Sequence, residues 1–380
     1  MTGGKMEQTE IQNQVPAAEI KKPLIPENIS KRITALRYFL IVFVVLAHNN
    51  KTYLFIQDEA FRLFSWDTFI HLPQILNYTF FAQAAVPLFF MFSAYLLAKK
   101  NDPYALMLKK KSKGLLTPFF LWPALTIGIF IAIKAAAILI FPDKVNHTLP
   151  YVSEWSLEDW ICAFIGKYPK HYNNHLFEPY IGPFYYVRDL FIFCALSPLI
   201  RLGIKKCRLA FFLLVLLLYT RAPLLFFGWS GFTYFSLGYF CGMYGLDFFE
   251  FADRAPWKAL IPISVFAIIL TVYYTGTTSS VLVLMSCIFM LKFSQVIADH
   301  CYEPAKYLSG FSFFLFAIHE PKFLNKLVDV WYHFIPQKNW FTDQAEFFIV
   351  GLGTCAIATL IGIALKKFCP KVFFPLNGGR

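Results

Sequence analysis

Apolar runs long enough to cross a bilayer recur along this chain, parted by short polar or basic connections. A helix needs about twenty consecutive apolar residues to span the hydrocarbon core. Runs of that kind fall at 33–53, 78–98, 115–141, 181–201, 208–228, 231–249, 257–275, 278–298, 307–326 and 346–367. The pattern predicts an all-α, polytopic membrane protein of about ten transmembrane helices. Arg221 and Pro223 interrupt the fifth run, and Pro321 predicts a break beside Glu320 in the ninth. The longest connection, 142–180, carries one short amphipathic stretch at Leu157–Ile165.

Lysine and arginine in the connections set the expected orientation. They cluster before the first run (Lys21, Lys22, Lys31, Arg32), after the second (Lys99 to Lys113), after the fourth (Arg201, Lys205, Lys206, Arg208) and at the C-terminus (Lys366, Lys367, Lys371, Arg380). With ten helices these segments share one side, which places both termini in the cytoplasm. Residues 1–30 are polar, lack an apolar leader core and read as a disordered cytoplasmic tail. Residues 31–370 form one transmembrane domain in this reading, and 371–380 a cytoplasmic C-terminal tail.

Composition narrows the partners. The chain is 57% hydrophobic and 15% charged, too little charge to cover a soluble protein of 380 residues. Its 45 Phe, 20 Tyr and 8 Trp suit aromatic belts at the interfaces. A net charge of +12 would suggest nucleic acid in a soluble chain. Here the cations lie in one set of loops, so orientation accounts for them and no nucleic-acid partner is expected. The eight cysteines are scattered without a CxxC pair, which argues against a disulfide framework or a zinc site. His171 and His175 in HYNNH stand four residues apart but have no evident third ligand, so no metal is expected.

Charges inside apolar runs are costly and mark candidate functional positions. Arg37 and His48 lie eleven residues apart in the first run. Eleven residues make close to three helical turns, so the two side chains share one face about 16 Å apart along the axis. Arg37 could equally snorkel to the headgroups, and His48 could be an interfacial residue beside Asn49 and Asn50. Arg188 and Asp189 lie adjacent in the fourth run, about 100° apart around a helix, and need not pair with each other. They read either as functional or as interhelical ion-pair partners. His319 ends the apolar part of the ninth run and reads as interfacial or catalytic. A neutral histidine in a dry chamber can take a proton from a hydroxyl, and nearby cations can hold a phosphate-rich donor.

Several segments, in order, resemble the acyltransferase-3 family of integral-membrane O-acyltransferases. Arg37 and His48 match its R-x10-H motif. VPLFFMFSAYLL, Val86 to Leu97, is similar to its VP-x-FF-x-x-SGYL segment, with Ala94 at the usual glycine. GPFYYVRDL resembles WFLRDL with Tyr185 at the tryptophan position, Tyr234 to Gly242 resembles F-x-LG, and SFFLFAIHEP resembles S-x-x-IYLIH-x-P. The terminal PLNGGR is similar to endings of O-acetyltransferase members. One departure stands out: Lys110 and Lys113 occupy the place of an R-x-x-R pair, keeping the charge but losing bidentate geometry.

The resemblance implies an O-acyltransferase of the bacterial cytoplasmic (inner) membrane. It would move an acyl group, acetyl first among the candidates, from acyl-CoA to a hydroxyl of a surface glycan or its lipid-linked precursor. No bound cofactor is implied; acyl-CoA is a substrate. The implied catalytic residue is His48, with Arg37 supporting donor binding. By chemical analogy Asp189 is a candidate to orient an imidazole, and Lys110, Lys113, Arg188 and His319 are candidates for substrate binding. The acceptor, the acyl group, a covalent or direct route and the oligomeric state stay open. A transporter or flippase for a glycan or small anion is the alternative, and it lacks matched pairs of Gly/Pro-broken helices.

Overall fold

The computed structural model describes residues 25–49, 70–100, 102–140, 156–165, 181–220, 228–271, 280–336 and 339–379. His171, His175 and the Arg221–Pro223 interruption lie outside them, as does residues 1–24 of the expected tail. The described residues are all-helical, with no strand among them.

In chain order, α1 is Glu27–His48, α2 Leu72–Lys100, α3 Tyr104–Ile140 and α4 Leu157–Ile165. A short turn, Gly182–Phe184, leads into α5 (Tyr185–Ala195), followed by α6 (Ser197–Lys206) and α7 (Arg208–Thr220). Then come α8 (Trp229–Tyr244), α9 (Phe248–Arg254), α10 (Trp257–Leu270) and α11 (Ser280–His300). The chain closes with α12 (Tyr302–Ser309), α13 (Ser312–Ile318), α14 (Leu324–Phe334), α15 (Trp340–Phe368) and α16 (Pro370–Leu376).

Four helices, α2, α3, α11 and α15, are long and apolar enough to cross a membrane, with mean hydropathy from 1.8 to 2.3. The shortest has 21 residues, about 32 Å of helix against a core of about 30 Å. Other apolar runs are divided. Run 181–201 splits at Leu196, before Pro198, and run 307–326 splits at Gly310 and again at His319–Phe323. α7 and α10 are shorter apolar helices. Exposed Ile133, Leu139, Leu209, Phe266 and Leu360 cover the outer faces of these elements. That surface is suited to lipid and unsuited to water.

α1 is the hub. It packs against α2, α11, α12, α13 and α15, and Ala35, Leu36, Leu40 and Val45 are wholly buried. Arg32 is tied into this core: its guanidinium donates to both carboxylate oxygens of Asp253 (2.6 and 2.9 Å), to Ser294 Oγ and to the Leu291 carbonyl. It also lies over the Phe249 ring. Through these bonds the cation fastens α1 to α9 and α11.

The C-terminal half of α2 and α8 pack along their lengths because α8 presents glycines. A Cβ at Gly238 would collide with the Met91 backbone, and one at Gly242 would stand 2.7 Å from Ala98 Cβ. Small residues at helix crossings in lipid let backbones approach this closely. The segment expected as a C-terminal tail is packed: Phe373, Leu376 and Asn377 are buried, Trp122 donates to the Leu376 carbonyl and Asn377 to the Gly310 carbonyl.

Candidate active site

One stripe of α1 faces a cavity of about 440 Å³. Arg37, Ile41, Val44 and His48 line it, at the spacing of 4, 3 and 4 residues that keeps side chains on one helical face. Opposite them stand Val86, Phe89, Phe92 and Ser93 of α2, Tyr185, Tyr186 and Leu190 of α5, and Ser312, Phe313 and Phe316 of α13. Leu115, Gly182, Pro183 and Glu320 complete the wall. The lining is therefore mostly apolar and aromatic, with a guanidinium and an imidazole about three turns apart along α1.

Glu320 reaches this cavity through a backbone event. Proline forces the preceding residue out of the α region. Glu320 accordingly sits at φ −116° and ψ 154° inside the His319–Phe323 turn, between α13 and α14. Its Oε1 lies 3.5 Å from His48 Nδ1. The His48 side chain remains 40% exposed, open to the cavity. A carboxylate on Nδ1 favours the tautomer that carries the proton there and leaves Nε2 as a base.

His319 stands behind His48. The ring centroids are 5.2 Å apart, His319 is wholly buried, and its Nδ1 donates to the Phe316 carbonyl at 2.7 Å. A carbonyl only accepts, so Nδ1 carries the proton and Nε2 holds the lone pair. His319 is not part of the cavity wall.

Arg188 and Asp189 pair with each other. Arg188 Nε and Nη2 both approach Asp189 Oδ1, at 2.9 and 2.8 Å, and the Gly228 N–H donates to Asp189 Oδ2 at 3.0 Å. Arg188 also donates to the Ile165 carbonyl, joining α4 to α5. Adjacent helical positions diverge, yet the long arginine side chain curls back and closes the gap. Both groups are buried and neither lines the cavity. The carboxylate beside His48 is Glu320, in place of Asp189. The sequence carried a signal for it: a carboxylate closing an apolar run is as costly as the charges singled out.

Lys110 and Lys113 also lie off the cavity wall. Lys110 binds Asp102 at 2.9 Å, and that bond holds the half-buried Asp102 carboxyl below the usual carboxylate range. Lys113 is exposed on Ser112–Leu116, the stretch whose Leu115 does reach the cavity. Arg37 and His48 are thus brought to one cavity with Glu320, whereas Asp189, Arg188, His319, Lys110 and Lys113 stand outside its lining.

The comparisons with known proteins agree with a transferase fold. Succinoglycan biosynthesis protein ExoH of Rhizobium meliloti (strain 1021) is 27% identical over 262 residues, covering 66% of this chain. The match spans 64% of that relative's own length. No solved structure matches the chain. A family model described as an acyltransferase domain matches residues 30–363, which takes in most of α1, the cavity and most of α15. The chain belongs to the acyltransferase-3 family.

Proposed function

We propose that the cavity between α1, α2, α5 and α13 transfers an acyl group, acetyl in the first instance, from acyl-CoA to a hydroxyl of a polysaccharide or its lipid-linked precursor. The observation that carries this reading is the shared cavity wall of Arg37 and His48, with Glu320 beside the imidazole. The family supports acyl transfer, and the succinoglycan-biosynthesis relative supports a polysaccharide acceptor.

In this mechanism His48 Nε2 removes the proton of the acceptor hydroxyl. The oxygen attacks the thioester carbonyl carbon, the C–S bond breaks, and the thiolate leaves as coenzyme A, taking a proton from the imidazolium. Glu320 holds the imidazole in the required tautomer and stabilises its charged form. Arg37 attracts the phosphate-bearing end of the donor. The aromatic walls exclude water, which would otherwise hydrolyse the thioester. In this reading the chain is a bacterial inner-membrane protein of about ten spans with both termini in the cytoplasm, so that donor enters from the Arg37 end and acceptor from the His48 end.

The test is acyl transfer by purified protein in lipid, with acetyl-CoA and a polysaccharide acceptor. Product formation supports the reading. Movement of glycan across the bilayer with no acylation would replace it with transport.

A further inference from the structure

A second concavity, of about 450 Å³, lies where α2, α6 and α8 meet. It is separate from the reaction cavity. Ser93 of α2 lines the first and Lys99 the second, six residues or about 9 Å further along the helix. Its position follows from packing. Gly242 brings α8 against Ala98 at the end of α2, and α6 crosses nearby with Arg201 and Lys205 four residues apart, hence on one face.

The chemistry of this lining is uniform. Lys99, Arg201 and Lys205 converge from two different helices beside Tyr239, and no carboxylate lines the site among the described residues. Lys99 and Lys205 form no ion pair among the described residues. The Lys99 ammonium stands 5.7 Å from the Tyr95 ring, within reach of the concavity. Like charges gathered in one hollow repel, and an anion between them reverses the sign of that interaction. A guanidinium with two ammonium groups matches the oxygens of a phosphate.

We propose that this concavity is a phosphate-binding site. Two sources present that chemistry at a membrane surface: the phosphates of a nucleotide-type donor and the headgroup of an anionic phospholipid. The first source rests on the acyl-CoA reading above; the second is independent of it.

Binding, with no turnover required, decides the matter. Full-length protein in a zwitterionic detergent is given desulfo-coenzyme A, which cannot accept or donate an acyl thioester. In parallel it is given phosphatidylglycerol or phosphatidylcholine, with retained lipid read by native mass spectrometry. The proposal expects one phosphate source to bind the wild type, and roughly tenfold or greater weakening in the Lys99→Gln/Lys205→Gln variant. The Lys99→Arg/Lys205→Arg variant, which keeps both charges, retains binding. Loss of desulfo-coenzyme A identifies a nucleotide site; selective loss of phosphatidylglycerol identifies a lipid site. If wild type binds neither desulfo-coenzyme A nor phosphatidylglycerol above phosphatidylcholine, or the Gln variant binds as well as wild type, the proposal is wrong. Acyl transfer can fail in either case without affecting this result.

Discussion

Glu320 Oε1 stands 3.5 Å from His48 Nδ1, and it does so because Pro321 keeps the Glu320 backbone extended. In a continuous helix the same carboxylate would follow the spiral of α13. The break turns one residue of a helix end into a partner for the imidazole on α1.

Glu320→Gln keeps the shape and removes the charge. The expected outcome is a fall in kcat of about 10- to 100-fold with little change in KM for the donor, since the loss concerns the transition state. Steady-state kinetics with a thioester donor read it directly. An unchanged kcat would remove Glu320 from the mechanism.

Arg32 and Arg37 provide an internal contrast, one turn and a half apart on α1. Arg32 is bonded to Asp253, Ser294 and Leu291 away from the cavity, and Arg37 lines the cavity. Arg32→Met should strand a carboxylate and cost about 3 kcal/mol or more of stability. Thermal unfolding in detergent would show it as a lower Tm. Arg37→Met should raise KM for the acyl donor. The reverse pattern would exchange their roles.

That contrast marks how far the sequence could be read. The Arg37–His48 face was legible because helical periodicity is local and eleven residues fix the relative angle. Arg32, only five positions away, looked like one more orienting cation, since its partners lie more than two hundred residues distant. Glu320 was visible beside a proline, but the direction in which the break aims it depends on where α1 packs. Asp189 had the chemistry to orient a histidine, and tertiary structure used it for Arg188 and Gly228. The amphipathic stretch at Leu157–Ile165 is legible in the sequence and is a helix in the structure, because amphipathicity is a local property.

For the Arg188–Asp189 pair the expected phenotype is structural. Asp189→Ala leaves a buried guanidinium without its carboxylate, at a cost of about 3 to 5 kcal/mol. Yield of folded protein and Tm should drop. A variant of full stability that had lost only catalysis would argue for a direct role.

Gly238 tests the helix packing beneath the site. Gly238→Val should disrupt the α2–α8 contact, because any Cβ there meets the Met91 backbone. Gly353→Val, at a position with nothing within 4 Å, serves as the control. Size-exclusion profiles of the two variants should differ sharply, with aggregation confined to the first.

The most direct test of the account replaces His48. Membranes carrying wild type or His48→Ala at equal, folded abundance are supplied with acyl-CoA and acceptor polysaccharide, and the product is examined by mass spectrometry. The account predicts acylated polysaccharide with wild type and a loss of about 100-fold or more with the variant. Equal acylation by His48→Ala would contradict it.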